Sequence, residues 1–108
     1  MRRFDQTLVR CTFTRAGFPH ERVFWIEAPG GGYYRGLAYI AYCLQADGRT
    51  QITEEEPLAG VKVDGMVVVR VVDRNRPDFV TVEVPGGETC DVATSQLVED
   101  TLDVPVGS

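Results

Sequence analysis

The sequence has little of what most catalytic and metal sites are built from. It contains one histidine, His20, and three cysteines, Cys11, Cys43 and Cys90, none of them in the close pairs that form a zinc knuckle. A metal site would depend almost entirely on carboxylates and cysteines, and no motif gathers them. We therefore expect neither a metal nor another cofactor, and the odd cysteine count predicts reduced, buried thiols rather than a disulfide framework.

The sequence also lacks long apolar runs and a positive net charge. No stretch approaches the roughly 20 apolar residues that cross a bilayer, and residues 1–11 are charged and polar where a signal peptide is apolar. We expect no membrane span and a cytoplasmic location. Sixteen acidic residues against 11 basic ones give a net charge of −5, which repels a phosphate backbone and disfavours nucleic acid as a partner.

The length and composition are those of one folded domain. The chain has 108 residues, of which 44% are hydrophobic and 25% charged, enough apolar material for a single core without disulfides. We predict one β-barrel domain over residues 1–100, followed by a loosely held tail at 101–108.

Helical periodicity is nearly absent, and glycine or proline interrupts most stretches. Apolar runs with strand-like alternation predict strands at 6–14, 21–27, 33–45, 62–75, 78–84, 88–93 and 97–98. Residues 49–60 are polar and then broken by proline, which predicts an irregular surface loop, with a short helical turn at 54–56 as the alternative. The sequence therefore predicts an all-β protein.

The clearest turn lies in VEVPGGETCDV, residues 82–92. Val82 and Val84 alternate with polar residues, which predicts that they face inward. Gly86 and Gly87 then supply the positive φ angles of a tight hairpin. After the next strand, residues 94–96 predict a single 3₁₀ turn before a final short strand.

This succession of strands and turns resembles the last four strands of Src-homology-3-like small barrels, including Tudor-type domains. The resemblance depends on residues 65–69, GMVVV, similar to the glycine that opens a barrel strand in those families. It depends also on residues 92–97, VATSQL, similar to their 3₁₀ turn and re-entrant strand. It covers roughly the second half of the chain and implies a nearly closed barrel of six or seven strands with an N-terminal extension.

Two features depart from those families. The first 30 residues add at least one strand to the minimal barrel. The acidic loop and paired tryptophans with which Src-homology-3 domains bind proline-rich peptides are missing. The likeness to Tudor-type barrels implies instead that an aromatic cluster at the loop ends would cage a cation.

No catalytic site is predicted. His20 lies in a loop beside glycine and proline, and Cys43 and Cys90 lie inside apolar strands, where burial raises a thiol's pKa and lowers its reactivity. Ser95 lacks the strand-to-helix elbow of a nucleophilic serine. The glycine-rich stretch at 30–36 leads into a strand, so it offers a phosphate no helix N-terminus. We therefore expect a protein that is not an enzyme.

Binding residues are easier to predict, because aromatic side chains are concentrated in one predicted hairpin. They are Trp25, Tyr33, Tyr34, Tyr39 and Tyr42. Alternation along the strand places Tyr33 and Tyr39 on one side and Tyr34 and Tyr42 on the other, so at most half of the set lines one exposed surface.

We predict an interaction module that binds a protein or peptide. The predicted contacts are Trp25, Tyr33 and Tyr34, with Arg74 and Arg76 as secondary contacts. Residues 54–56, three consecutive glutamates, are predicted to be a solvated loop or a docking surface for a basic partner. Pairing of edge strands into a homodimer is equally compatible with the sequence.

Two further classes of function remain open. A nucleic-acid-binding barrel would require one basic face formed by Arg2, Arg3, Arg10, Arg15, Arg70, Arg74 and Arg76. A small ligand-binding or enzymatic barrel would require an internal pocket with a titratable group of shifted pKa. The acids to inspect for that purpose are Glu83 and Asp91, near each other across the predicted hairpin.

Overall fold

A computed structural model describes residues 6–74 and 76–100 of the chain. The described residues form eight strands and two 3₁₀ turns. In chain order these are β1 (Gln6–Arg15), β2 (Glu21–Glu27), β3 (Tyr33–Tyr39), η1 (Ile40–Tyr42), β4 (Cys43–Gln45), β5 (Val63–Asp73), β6 (Phe79–Glu83), β7 (Thr89–Ala93), η2 (Thr94–Gln96) and β8 (Leu97–Asp100). The predicted tail at 101–108 and the arginines at positions 2 and 3 lie outside these residues.

The strands form one antiparallel sheet in the order β3-β2-β1-β5-β6-β7, with β4 added to β5 and β8 added to β1. The sheet curls into a nearly closed barrel, consistent in general with the Src-homology-3-like fold. The all-β prediction is confirmed, although the described strands number eight rather than six or seven. In residues 6–74 and 76–100 no helix is long and apolar enough to cross a membrane.

The extra strand arises within residues 33–45, which the sequence predicts as one strand. Here β3 pairs with β2, whereas β4 pairs with β5. The chain changes neighbours through η1, which carries Tyr42 out of the strand alternation. The prediction that Tyr42 lies on the Tyr34 face of one continuous strand is therefore wrong.

The inward faces of the strands form the core. In β6 the alternation is as predicted, because Val80 and Val82 are buried while Phe79, Thr81 and Glu83 are only partly buried. The largest fully buried apolar side chains of this cluster are Phe13, Phe24, Ile26, Ile52, Val9, Val67, Val82 and Val92. A smaller cluster of Leu8, Leu44 and Met66 packs separately.

The second half of the barrel follows the order that the sequence predicts. Gly86 and Gly87 have φ angles of 102° and 92° in the hairpin between β6 and β7, where a residue with a side chain would be strained. After β7, η2 leads into β8, which pairs with β1. This pairing of the last strand with the first nearly closes the barrel.

Gly65, the glycine of the barrel-strand resemblance, lies where β5 passes close to β4 and β1. A Cβ atom there would be 2.5 Å from the Leu44 carbonyl oxygen and 2.5 Å from the Phe13 ring. Real Cβ atoms do not approach other atoms so closely. The Leu44 oxygen belongs to the backbone, so it cannot rotate away as a side chain could. Gly65 is therefore required by packing and not by its φ angle.

One polar side chain, Arg22, points inward from β2 and is fully buried. Its guanidinium donates hydrogen bonds of 2.6–3.1 Å to the backbone carbonyl oxygens of Pro19, Glu21, Thr53, Glu54 and Glu56. Burial, and then the nearby charge of Arg15, lower the pKa of Arg22 from its ordinary value, but an arginine stays charged in a protein. The carbonyl oxygens compensate this buried charge.

Arg22 thereby fixes the loop between β4 and β5, which the sequence predicts to be irregular. Arg15 adds hydrogen bonds of 3.0 Å to the carbonyl oxygens of Glu54 and Pro57. The Glu56 carboxylate accepts hydrogen bonds from the Thr53 N–H at 3.2 Å and from the Gln45 amide. Residues 54–56 form a turn and not a helix.

We predict that Arg22→Met lowers the free energy of unfolding by about 3 kcal/mol, because hydrogen bonds to a charged donor are lost and buried carbonyl oxygens are left without partners. Urea unfolding followed by circular dichroism measures the change. Arg35→Met, at an exposed position on β3, is the matched control and is expected to change stability by less than about 0.5 kcal/mol. Equal losses in the two variants would contradict the role given to Arg22.

We predict that Gly65→Ala destabilises the barrel by about 2 kcal/mol, the usual cost of forcing atoms into a packed core. Gly17→Ala is the control, since a Cβ at Gly17 would meet no atom within 4 Å and its φ is not positive. Urea unfolding midpoints of both variants, compared with the parent protein, test this difference. A Gly65→Ala protein as stable as Gly17→Ala would show that β4 can shift away from β5.

Candidate functional site

Strands β1, β2, β3 and β5 contribute most of the lining of an open cavity of about 340 Å³, which we call the Trp25 pocket. It is lined by Arg10, Cys11, Thr12, Trp25, Glu27, Tyr33, Ala46, Asp64, Gly65, Met66 and Gln96. Two of the predicted contact residues, Trp25 and Tyr33, thus line the same cavity.

The strand register explains how this pocket is assembled. Trp25 lies opposite Thr12 of β1, and Thr12 lies opposite Asp64 of β5. On the other side Glu27 lies opposite Tyr33 of β3. Because alternate residues of a strand share a face, Trp25 and Glu27 project to the same side of β2, with Asp64 two strands away from Trp25.

The face of the Trp25 ring already carries a cation. The Lys62 Nζ atom lies 4.6 Å from the centroid of the ring, within the range of a cation–π contact. Lys62 is exposed and belongs to the segment that enters β5. The indole is partly buried and accessible from the solvent side, so its π face is one to which a positively charged group binds.

Two carboxylates at this pocket have no ion-pair partner within the described parts of the chain. Glu27 and Asp64 are both exposed, and the described ion pairs involve His20, Arg70 and Arg76 instead. Arg10 is the one basic residue in the pocket lining. The lining itself carries a net charge of −1, and the Lys62 ammonium over the Trp25 ring brings the local sum to zero, so a net negative charge is exposed here only when Lys62 is displaced.

A second, larger cavity of about 560 Å³ adjoins this pocket, and we call it the Leu58 groove. It is lined by Gln45, Ala46, Ile52, Glu55, Glu56, Pro57, Leu58, Val61, Val63 and Asp64. Ala46 and Asp64 line both cavities. The two cavities thus adjoin each other at Ala46 and Asp64.

The structure does not bring the third predicted aromatic contact, Tyr34, into the Trp25 pocket. Its ring lies 6.1 Å from that of Phe24 on the inward side of β3, and its hydroxyl donates a hydrogen bond to Glu88. Burial, and then this hydrogen bond, raise the pKa of Tyr34 to about 12. Tyr34 joins β3 to the β6–β7 hairpin across the open side of the barrel.

The two predicted arginine contacts are also outside both cavities. Arg76 lies over the Phe79 ring, 4.0 Å from its centroid, and donates hydrogen bonds to Thr81 and Asp91 at 3.3 and 3.4 Å. Arg74 follows the end of β5 in the same connection between β5 and β6. The structure therefore separates these arginines from Trp25 and Tyr33.

Sequence reasoning did not identify Glu27, Lys62 and Asp64 as site residues. Glu27 could have been found, because it is two residues from Trp25 in a strand and must share its face. Lys62 and Asp64 are neighbours of Trp25 only through the pairing of β1 with both β2 and β5. No local pattern indicates that arrangement.

Other exposed apolar side chains lie along β3, an end strand of the main sheet order. Leu37 and Tyr39 are 53% and 60% exposed, and with Tyr42 and Pro85 they line a separate cavity of about 340 Å³. The predicted pairing of edge strands between two copies remains compatible with this arrangement.

Within the described residues no group of three or more histidine, cysteine, aspartate or glutamate side chains is placed to hold a metal ion. His20 lies 3.1 Å from Glu54, and both are largely exposed. Glu83 pairs with Arg70, and Asp91 accepts hydrogen bonds from Thr81 and Arg76. Glu83 and Asp91 thus do not face each other as a pair of catalytic carboxylates.

No family model, curated protein or solved structure matches this chain.

The cysteines give a prediction that tests the low thiol reactivity expected from the sequence. Burial raises the pKa of Cys43 to about 12 and that of Cys90 to about 11, and it raises the pKa of Cys11 further. Because a raised pKa keeps the thiol protonated, on the order of one Cys90 in a thousand is a thiolate at pH 8. We expect alkylation by iodoacetamide to be slow at pH 8 and to rise toward pH 11, first at Cys90.

Mass spectrometry of time points, with the urea-unfolded protein as the control, measures these rates. Rapid alkylation of one cysteine in the native protein at pH 7 would contradict this expectation and would indicate a reactive thiol.

Proposed function

We propose that this protein is a non-enzymatic interaction module that binds a basic segment of a protein partner at the Trp25 pocket. The observation that carries the proposal is the Lys62 ammonium over the ring of Trp25. The cavity that Trp25 lines also contains Glu27 and Asp64, which have no ion-pair partner among the described residues. A lysine or arginine side chain from a partner would find both an aromatic face and carboxylates there.

The aromatic residues support contact with a protein segment rather than with a lone ion. Tyr33 is 69% exposed at the rim of the pocket, next to Glu27 across the strands. A tyrosine in that position offers a large apolar surface with a hydroxyl group, as contact residues of protein interfaces do. Trp25 provides the partly buried centre and Tyr33 the exposed edge.

The proposal refines what the Tudor-type resemblance implies. A cage would enclose a cation between several aromatic rings, whereas Trp25 offers one ring face and Tyr33 lies at the edge of an open cavity. We therefore propose that carboxylates take the place of further rings. An ordinary lysine or arginine, which donates hydrogen bonds to carboxylates, suits this pocket.

Nucleic acid is a weaker candidate because three arginines of the predicted basic face already have partners within the protein. Arg15 donates to loop carbonyl oxygens, Arg70 pairs with Glu83, and Arg76 pairs with Asp91. Arg70 and Arg76, whose charges are paired with carboxylates, contribute less to phosphate binding than free arginines would. Together with the net charge of −5, this favours a basic partner over an acidic one.

Energetic estimates indicate what affinity to expect from this pocket alone. An exposed cation–π contact contributes about 0.5–1 kcal/mol, and each exposed ion pair contributes about 0.2–1 kcal/mol. Displacing Lys62 costs about as much as the first of these contributions. The pocket by itself therefore binds weakly, and a natural ligand needs contacts outside it.

The single tryptophan of the sequence makes the test direct. We expect Ac-Gly-Arg-Gly-Ser-Gly-NH₂ to shift the one indole N–H signal in a ¹H–¹⁵N correlation spectrum, while the same peptide with glutamate in place of arginine leaves it unchanged. Asp64→Asn and Glu27→Gln are expected to weaken binding about two- to fivefold each, since each removes one exposed carboxylate. Lys62→Ala is expected to strengthen binding by a similar factor, since it uncovers the ring.

Asp78→Asn is the matched control for the lost charges, because Asp78 is exposed and lines neither cavity. Lys62→Arg keeps a cation on the ring and is expected to leave the affinity unchanged. Equal shifts of the indole signal by the arginine and glutamate peptides would overturn the proposed function. Equal losses of affinity for the arginine peptide in Asp78→Asn and Asp64→Asn would show only a long-range effect of net charge.

A further inference from the structure

The Leu58 groove has two apolar side chains that the fold leaves uncovered. Leu58 is 68% exposed and Val61 is 42% exposed, and both line the groove above the buried Ile52. Exposing such side chains to water is unfavourable by an amount that grows with their area. Adjacent exposed apolar residues in a concave surface are typical of a binding site.

The shape of this groove is fixed by hydrogen bonds to the backbone of its own wall. The Val61 N–H donates a 3.0 Å hydrogen bond to the Leu58 carbonyl oxygen, which closes a turn. Arg15 holds the Pro57 carbonyl oxygen and Arg22 that of Glu56. The wall that carries Leu58 is therefore fixed before any ligand arrives, which lowers the entropic cost of binding.

The charge of the groove is of one sign. Glu55, Glu56 and Asp64 are among its lining residues, and no lysine or arginine is. Glu55 and Asp64 are exposed, and the Glu56 carboxylate is engaged within the loop. An apolar side chain that enters this groove is thus favoured when its own chain is positively charged.

We infer that the Leu58 groove takes an aliphatic side chain of the same basic segment that binds at the Trp25 pocket, an inference that rests on the proposed function. The ligand class is then a peptide with a lysine or arginine near a leucine-like residue. Ala46 and Asp64 form the border between the cavities. In an extended peptide, residues i and i+2 project to the same side, so we place the two side chains two residues apart.

Three peptides test this inference: Ac-Gly-Arg-Gly-Leu-Gly-NH₂, Ac-Gly-Arg-Gly-Ser-Gly-NH₂ and Ac-Gly-Ser-Gly-Leu-Gly-NH₂. We expect the arginine–leucine peptide to bind at least tenfold more tightly than the arginine–serine peptide in ¹H–¹⁵N titrations. It should shift the amide signals of Leu58 and Val61 as well as the Trp25 indole signal. The serine–leucine peptide is expected to shift the Leu58 and Val61 signals alone.

Leu58→Ser is the variant that isolates the groove, and Leu37→Ser is its control. Leu37 is a leucine of comparable exposure, 53% against 68%, that lines a different cavity. We expect Leu58→Ser to abolish the tenfold advantage of the arginine–leucine peptide without changing the affinity for the arginine–serine peptide. Leu37→Ser should preserve both affinities.

The outcomes separate this inference from the function on which it rests. If the arginine–serine peptide shifts the indole signal but leucine adds no affinity, or the advantage persists in Leu58→Ser, the inference is wrong and the proposed function stands. If no arginine peptide shifts the indole signal, the proposed function is wrong, and so is the inference that one peptide occupies both cavities.

Discussion

The hydrogen bonds from buried Arg22 to loop carbonyl oxygens are the interaction on which the shape of the β4–β5 loop, and with it the Leu58 groove, depends. An unpaired charge inside a protein is very costly, and no carboxylate of residues 6–74 or 76–100 forms an ion pair with Arg22. It is compensated by backbone groups from the β1–β2 connection, β2 and the β4–β5 loop. Such a loop would otherwise be free to move, because it has few strand partners.

This arrangement also decides where the acidic side chains of the loop point. The carbonyl oxygens of Thr53, Glu54 and Glu56 turn inward to Arg22. The Glu54 and Glu55 side chains are exposed. The loop thus satisfies a buried cation with its backbone and presents its carboxylates to solvent. A negative surface beside the Leu58 groove follows from the same contact that fixes the loop.

Much of the fold could be predicted because strands with one buried face show a period of two in the sequence. The strands from β5 to β7 follow their predicted ranges closely, and the glycine hairpin at Gly86 and Gly87 has the expected positive φ angles. The break at 40–42 was not predictable in this way. Residues 33–45 have strand composition throughout, and the break occurs because β3 and β4 pair with different strands.

The difference between local sequence pattern and strand pairing also explains which residues of the candidate site could be predicted. Trp25 and Tyr33 could be named as contact residues from their chemical type, and their common face follows from the pairing of β2 with β3. Tyr34 was named for the same chemical reason but lies on the opposite face. Asp64 required knowledge of the β1–β5 register. Arg22, which the sequence did not single out, required knowledge of which loop packs on β2.

Lys62 connects the stability of the fold with the proposed binding. A tryptophan on the outward face of a sheet leaves apolar area in water, and the stem of a lysine covers such area while its ammonium stays solvated. The contact with Trp25 is therefore useful to the free protein even without a ligand. An exposed cation–π contact contributes only about 0.5–1 kcal/mol. A ligand cation that contacts the Trp25 ring and also pairs with Glu27 or Asp64 would therefore gain more interaction free energy than is lost when Lys62 leaves the ring. The covered tryptophan is thus consistent with a binding surface that is protected until a partner arrives.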